Sequence, residues 1–117
     1  MNKRETGSFK ENEAAVYLEH NGLKIIERNF SCRFGEIDLV AEDGEYTVFT
    51  EVKYRKTASS GHPEEAVDHR KARKISKVSD YYRMIRHLRP DAMIRFDVVA
   101  IEGSDIKWYK NAFEYIY

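Results

Sequence analysis

Apolar positions between Ser8 and His20 follow a helical spacing: Ala14, Ala15, Tyr17 and Leu18 fall on one face, and Asn21-Gly22 supplies a stop. Beyond that stop the pattern changes. Leu23, Ile25 and Ile26 lack helical spacing and bring in β-branched side chains, which predicts an extended segment running toward Phe30. Phe34 to Ala41 and Tyr46 to Lys53 read as two strands joined through Glu42-Asp43-Gly44-Glu45, where Asp-Gly provides the positive backbone angles of a tight hairpin turn. Arg55 to His62 is polar and contains Ser59-Ser60-Gly61, the composition of an exposed loop. A second, long helix is expected from Pro63, with Glu64 and Glu65 in the first turn, where the helix dipole favours negative charge. Its apolar stripe is Ala66, Val67, Ile75, Val78, Tyr82, Ile85 and Leu88, and Pro90 is expected to end it. Ile94 to Ile101 and Ile106 to Tyr109 then form two strands around Gly103-Ser104, giving a mixed α/β fold in the order αβββαββ.

With 117 residues, 42% of them hydrophobic, the chain has material for one core, so residues 1–117 are expected to form a single domain. A lone cysteine, Cys32, excludes an intrachain disulfide and a cysteine-built zinc site, which fits a reducing cytoplasm. Met1 to Glu13 lacks the apolar core of a signal segment, and no apolar run approaches membrane length, so no membrane partner is expected. Net charge is zero, yet eleven basic residues stand against four acidic ones between Lys53 and Arg89. Such a run is either a phosphate track or the solvated face of a helix.

The chemistry sits in the central hairpin. If Asp43 and Gly44 are the turn residues, Glu36 faces Glu51 and Asp38 faces Phe49. Alternation then sends Glu36, Asp38, Glu51 and Lys53 to one side, and Ile37, Leu39, Tyr46, Val48 and Val52 to the other. Asp38 and Glu51 become diagonal neighbours, roughly 7–8 Å apart at the backbone, close enough for both carboxylates to reach one ion. Clustered acids on a sheet repel, and the cluster needs a compensating cation, for which Lys53 and a hard divalent ion qualify. An all-oxygen set without histidine or thiolate favours magnesium or manganese over zinc. Such a metal polarises a phosphodiester, with Lys53 orienting the nucleophile and stabilising developing charge, which points to phosphodiester hydrolysis. A Glu-x-Lys pair on an exposed strand needs no function by itself. Its occurrence together with Gly35-Glu36-Ile37-Asp38-Leu39-Val40 and a turn of matching parity, on strands that read as buried, favours the catalytic reading.

Several other residues have plainer explanations. His20, His62, His69 and His87 show no metal-ligand spacing and read as surface residues, and Cys32 reads as a small packed side chain. Trp108, Tyr109, Phe113, Tyr115 and Tyr117 read as core or dimer contacts ahead of a base-stacking platform. Arg55 and Lys56, entering the loop beside the motif lysine, are candidate nucleic-acid backbone contacts, with Lys71 and Arg73 as second choices.

The array Glu11-x-x-Ala14-Ala15-x-Tyr17-Leu18, Arg28-Asn29-Phe30, Gly35-Glu36-Ile37-Asp38-Leu39-Val40, Phe49-x-Glu51-Val52-Lys53-x-Arg55, Glu65-Ala66-Val67 and Arg95-Phe96-Asp97-Val98-Val99 resembles the YraN family over nearly the whole chain. That family is similar to archaeal Holliday-junction resolvases and to the restriction-endonuclease-like nucleases that share the PD-(D/E)xK motif. The resemblance implies a restriction-endonuclease-like mixed β-sheet flanked by helices. It makes Asp38 and Glu51 metal ligands and Lys53 the catalytic lysine, with Glu11 an additional acidic residue near the metal. Ile37 replaces the proline of the motif's name, and Thr50 stands where the family usually carries an apolar residue, on the face opposite Glu51.

These readings converge on a magnesium- or manganese-dependent endonuclease with a nucleic-acid partner, DNA ahead of RNA, acting on branched or irregular DNA; junction cleavage would call for a homodimer. One rival is a catalytically silent nucleic-acid-binding module that retains the nuclease fold. Another is a charged scaffold whose stability ignores both metal and DNA.

Overall fold

The expected element order is realised in the computed structural model, which describes residues 3–55 and 67–117, with side chains from residue 7 onward. The elements are α1 (Lys3–His20), β1 (Lys24–Cys32), β2 (Gly35–Asp43), β3 (Tyr46–Arg55), α2 (His69–Ile85), β4 (Met93–Glu102) and β5 (Asp105–Tyr109). The five strands form one sheet in the order β1-β2-β3-β4-β5. β3 and β4 run parallel, and every other pair is antiparallel. That parallel pair requires a crossover, and the connection between β3 and β4 contains α2.

Each helix covers one face of the sheet. Ala14, Ala15 and Leu18 of α1 pack with Leu39, Ala41, Val48, Val99 and Ile101, while Ile75, Val78 and Tyr82 of α2 pack with Val40, Phe49 and Phe96. The small residues Ala14 and Ala15 let α1 lie close to the strands, and both are fully enclosed. The tail extends the α2 layer: the Phe113 ring stacks on Phe96 at 5.0 Å between centroids, and Trp108 packs on the α1 side. The core reading of Trp108, Phe113 and Tyr115 therefore holds, whereas Tyr117 is exposed.

Three expectations are corrected. α2 does not begin at Pro63: Val67 lies in a bend, and Asp68 caps the helix by accepting the Lys71 N–H at 2.9 Å. Pro63, Glu64, Glu65 and Ala66 lie outside the described residues. The helix also stops before Pro90. It ends at Ile85, with Arg86 as C-cap and His87 at a φ of 55°, the left-handed geometry that terminates helices.

The third correction concerns the hairpin. Asp43 pairs with Tyr46 and Leu39 with Thr50, so the turn residues are Gly44 and Glu45, one position later than expected. Gly44 carries the positive φ of 60° in that turn. Val40, not Asp38, faces Phe49. Because the register moves by two residues in the pairing sum, Asp38, Glu51 and Lys53 keep the relative parity that the pattern implied.

β4 carries a buried polar knot. Asp97 is fully enclosed and accepts from Arg95 Nε (2.9 Å) and Nη2 (2.8 Å), from Trp108 Nε1 (2.9 Å) and from the Asn111 N–H (2.9 Å). Arg95 also reaches Asp43 at 3.0 Å, tying the end of β2 to β4. A buried carboxylate with this many donors is satisfied, and it fixes the C-terminal segment to the sheet.

Candidate functional site

The site forms where the regular sheet fails. Strict alternation would put Ile37 and Leu39 on the same face, yet Ile37 packs in the α2 layer and Leu39 in the α1 layer. The break is matched in β1, where Asn29 takes a left-handed φ of 53°. Between the two layers, Asp38 is offered to both. The β2–β3 ladder ends at Leu39 and Thr50, and the Asp38 Oδ2 takes over by accepting the Val52 N–H at 2.8 Å.

On the α1 side, Glu11 and Glu36 join Asp38, each bringing an oxygen within 4.8 Å of the others, a spacing at which one cation can bridge all three. Asn29 holds this group together. With its amide nitrogen turned to the acids, it donates to Glu11 Oε2 at 2.8 Å and to Glu36 Oε1 at 3.0 Å. Its left-handed backbone is one that asparagine tolerates better than most residues. Glu36 thus clusters with α1 rather than lying in one row with Asp38, Glu51 and Lys53, as alternation had implied.

On the α2 side stand Glu51, Lys53 and Lys71. Lys71 Nζ reaches Glu51 Oε2 at 3.2 Å. The other oxygen, Glu51 Oε1, is buried and has no hydrogen-bond partner among the described residues. Glu51 lies outside the mutual Glu11, Glu36 and Asp38 group but feels the Asp38 charge directly.

The electrostatics follow from crowding buried charge. Burial, then the Asp38 charge, pushes the Glu51 carboxyl up to about 7, against the pull of Lys71. Asp38 is raised by burial and by Glu36, although the Val52 N–H opposes the shift. Glu11 is raised by burial and by Asp38 and Glu36. Burial and the neighbouring Lys71 bring Lys53 down to about 8. Burial also opposes the charge on Lys71, but its hydrogen bonding with Lys53 and the Glu51 charge outweigh that effect, and Lys71 is raised. Opposed shifts on adjacent groups are a pattern that catalytic sites share with structural ion clusters.

The remaining candidates fall as follows. Arg55 ends β3, where its carbonyl accepts the Gly103 N–H at 3.0 Å. Arg73 is exposed on α2, and Lys56 lies outside the described residues. Lys71, a second-choice candidate for a phosphate contact, pairs with Glu51 in the acidic cluster. Asn29 is the residue that sequence reasoning passed over. Its only signal was an asparagine, a residue that tolerates left-handed backbone, between Arg28 and Phe30 inside a predicted strand.

A sheet between two helices, with three acids on one side of a strand break and an acid with two lysines on the other, defines an α/β domain with a polar site suited to a cation. Residues 10–101 match the model of the family described as "Uncharacterised protein family UPF0102". A UPF0102 protein of Lachnoclostridium phytofermentans is 46% identical over 114 residues, covering 97% of each chain. One from Persephonella marina is 41% identical over 111 residues, covering 95% of each, and UPF0102 protein FN1370 of Fusobacterium nucleatum is 43% identical over 111 residues, covering 95% of this chain and 92% of its own. The chain belongs to the UPF0102, or YraN, family. Among the described residues, no helix is long and apolar enough to cross a membrane.

Proposed function

We propose that this chain is a divalent-metal-dependent endonuclease of the restriction-endonuclease-like class, acting on DNA in the cytoplasm. The observation that carries the reading is the buried Glu51 Oε1 beside Asp38, an oxygen that receives no hydrogen bond from the described residues, on a carboxyl whose burial Lys71 and Lys53 only partly offset. The donor set fits a hard cation. Asp38 and Glu51 would hold magnesium or manganese, with Glu11 and Glu36 lending further oxygens through their contact with Asp38. A bound ion of this kind supplies Lewis acidity at a phosphodiester.

The chain's own groups supply the rest. Lys53, brought down to about 8, is protonated at neutral pH but exchanges its proton readily. It can therefore both stabilise charge developing on phosphate oxygens and pass a proton. Lys71 keeps its charge and positions Glu51. Asn29 holds Glu11 and Glu36 in place. None of these groups reads base sequence, so DNA shape or branching would select the substrate, and cutting both strands of a junction would require a homodimer.

A second reading, a nucleic-acid-binding module without turnover, draws on the Lys71 contact, since an internal ammonium already neutralises one Glu51 oxygen. Purified protein incubated with magnesium or manganese on linear, flapped and four-way DNA, with RNA in parallel, separates the two. Cleavage that disappears in Asp38→Ala supports the enzyme. Binding without cutting in every metal supports the module.

A further inference from the structure

Beside the acidic site, the turn between β1 and β2 and the exposed face of α2 form an open groove of about 400 Å³, lined by Arg33, Phe34, Lys77, Asp80, Tyr81 and Met84. Phe34 and Tyr81 supply aromatic walls, and Met84, 64% exposed, leaves one side apolar and open to solvent. Two cations flank the Phe34 ring: the Arg33 guanidinium lies 4.8 Å from its centroid and the Lys77 ammonium 6.0 Å. Neither has a carboxylate partner among the described residues, while one Asp80 oxygen is already taken by the Tyr115 hydroxyl at 2.6 Å. Gly35 holds the turn against the helix. Its φ of 148° is a backbone conformation that side-chain-bearing residues rarely adopt, and it turns the chain against Val78 of α2, with Phe34 beside Lys77.

We propose that this groove binds an unpaired nucleotide of a single-stranded segment, its base stacked on Phe34 and Tyr81 and its flanking phosphate held by Arg33 and Lys77. The inference deepens the nuclease reading by naming a subsite next to its centre. Aromatic walls with unpaired cations match a nucleotide, which joins a flat π-face to a negative charge. The groove and the acidic site draw on the same two elements, β2 with the turn before it and α2. Phe34 is followed directly by Gly35-Glu36, and Lys77 lies six residues along α2 from Lys71, roughly 9 Å of helical rise. A single strand held at the acidic centre and running along and partly around α2 would reach the groove. The stacking is indifferent to base identity, so the subsite selects for single-strandedness and not for sequence.

The test is fluorescence anisotropy of the full chain with a labelled mixed-sequence single-stranded DNA 12-mer and with its duplex, both in EDTA so that cleavage plays no part. Phe34→Ala should weaken single-strand binding about tenfold. Arg33→Gln with Lys77→Gln should weaken it and, because the two share one phosphate, reduce the slope of log K against log salt by about 0.7, whereas exposed Lys107→Gln on β5 should change nothing. Lys77 is exposed, so its variant reports on binding even if Phe34→Ala folds poorly. Unchanged single-strand affinity in the Phe34 and Lys77 variants overturns the proposal, as does equal loss on duplex DNA or a concentration-dependent dimer closing the groove. If wild type cleaves DNA but the groove variants bind normally, the subsite fails and the nuclease stands. If single strands bind through the groove but nothing is cut in any metal, the nuclease reading fails and the subsite stands.

Discussion

Replacing Glu51 by Gln removes a negative charge from a place that resists it while leaving the shape of the side chain nearly unchanged. Burial and Asp38 lift the Glu51 carboxyl from its ordinary value near 4.5 to about 7, with the attraction of Lys71 and Lys53 already included. In the unfolded chain the group ionises around its ordinary value, so between about pH 4.5 and 7 the folded protein holds more protons than the unfolded one. Folding stability then falls as pH rises through that window, and the deficit is complete above it. At about 1.4 kcal/mol per pH unit, the wild-type protein carries a cost of about 3 kcal/mol at pH 8. Glu51→Gln should recover it, raising Tm by roughly 10 °C at about 4 °C for each kcal/mol. At pH 5, where the folded wild type is already protonated at this position, the gain should shrink to below about 1 kcal/mol. Urea or thermal unfolding of both proteins at pH 5 and 8, in EDTA, measures the difference directly. Magnesium should then stabilise wild type by about 2.7 kcal/mol at a hundredfold excess over Kd, and the variant far less. A variant less stable than wild type at pH 8, or a stability gain that does not depend on pH, would falsify the picture of Glu51 as an incompletely compensated buried acid.

Three further outcomes are expected. Lys53→Met should abolish cleavage without lowering the metal-induced rise in Tm, since the side chain is assigned to the phosphate; loss of metal stabilisation would move Lys53 into the ion's own site. Thr50→Val should stabilise the fold by about 1 kcal/mol in equilibrium unfolding, because Thr50 is fully enclosed and its Oγ1 has no partner among the described residues; destabilisation would mean that the hydroxyl is bonded. Asp97→Asn should cost about 3 kcal/mol, leaving the half-buried Arg95 without its bidentate acceptor; hydrogen exchange should show early opening around Trp108 and Asn111, and protection unchanged there would contradict the tie.

Glu11, Asp38 and Glu51 each resist ionisation in the arrangement the chain adopts by itself, and Lys71 relieves only one oxygen of Glu51. Strain of this kind is tolerated when a ligand relieves it, and a site that destabilises its own fold is a common companion of function. The aromatic groove beside it has the opposite character, apolar and cationic, and together the two suit a ligand that combines phosphates with flat bases.

The amino-acid sequence by itself determined the kinds and order of the elements. Apolar spacing through Ala14, Ala15 and Leu18, alternation through Tyr46 to Lys53 and the glycines at the turns act over a few residues, so they are readable without knowing what packs against them. It also pointed to Asp38, Glu51 and Lys53 as neighbours through the parity of the turn, although the ladder ends at Leu39 and Thr50 and Asp38 meets β3 by accepting the Val52 N–H beyond it. Only the tertiary structure decided the rest: the break that sends Ile37 and Leu39 to opposite layers, the left-handed Asn29 between Glu11 and Glu36, and the placing of Lys71 on Glu51 rather than in solvent. Each depends on a helix meeting a strand from a distant part of the chain, and that meeting is set by the global balance of packing and charge rather than by any local pattern.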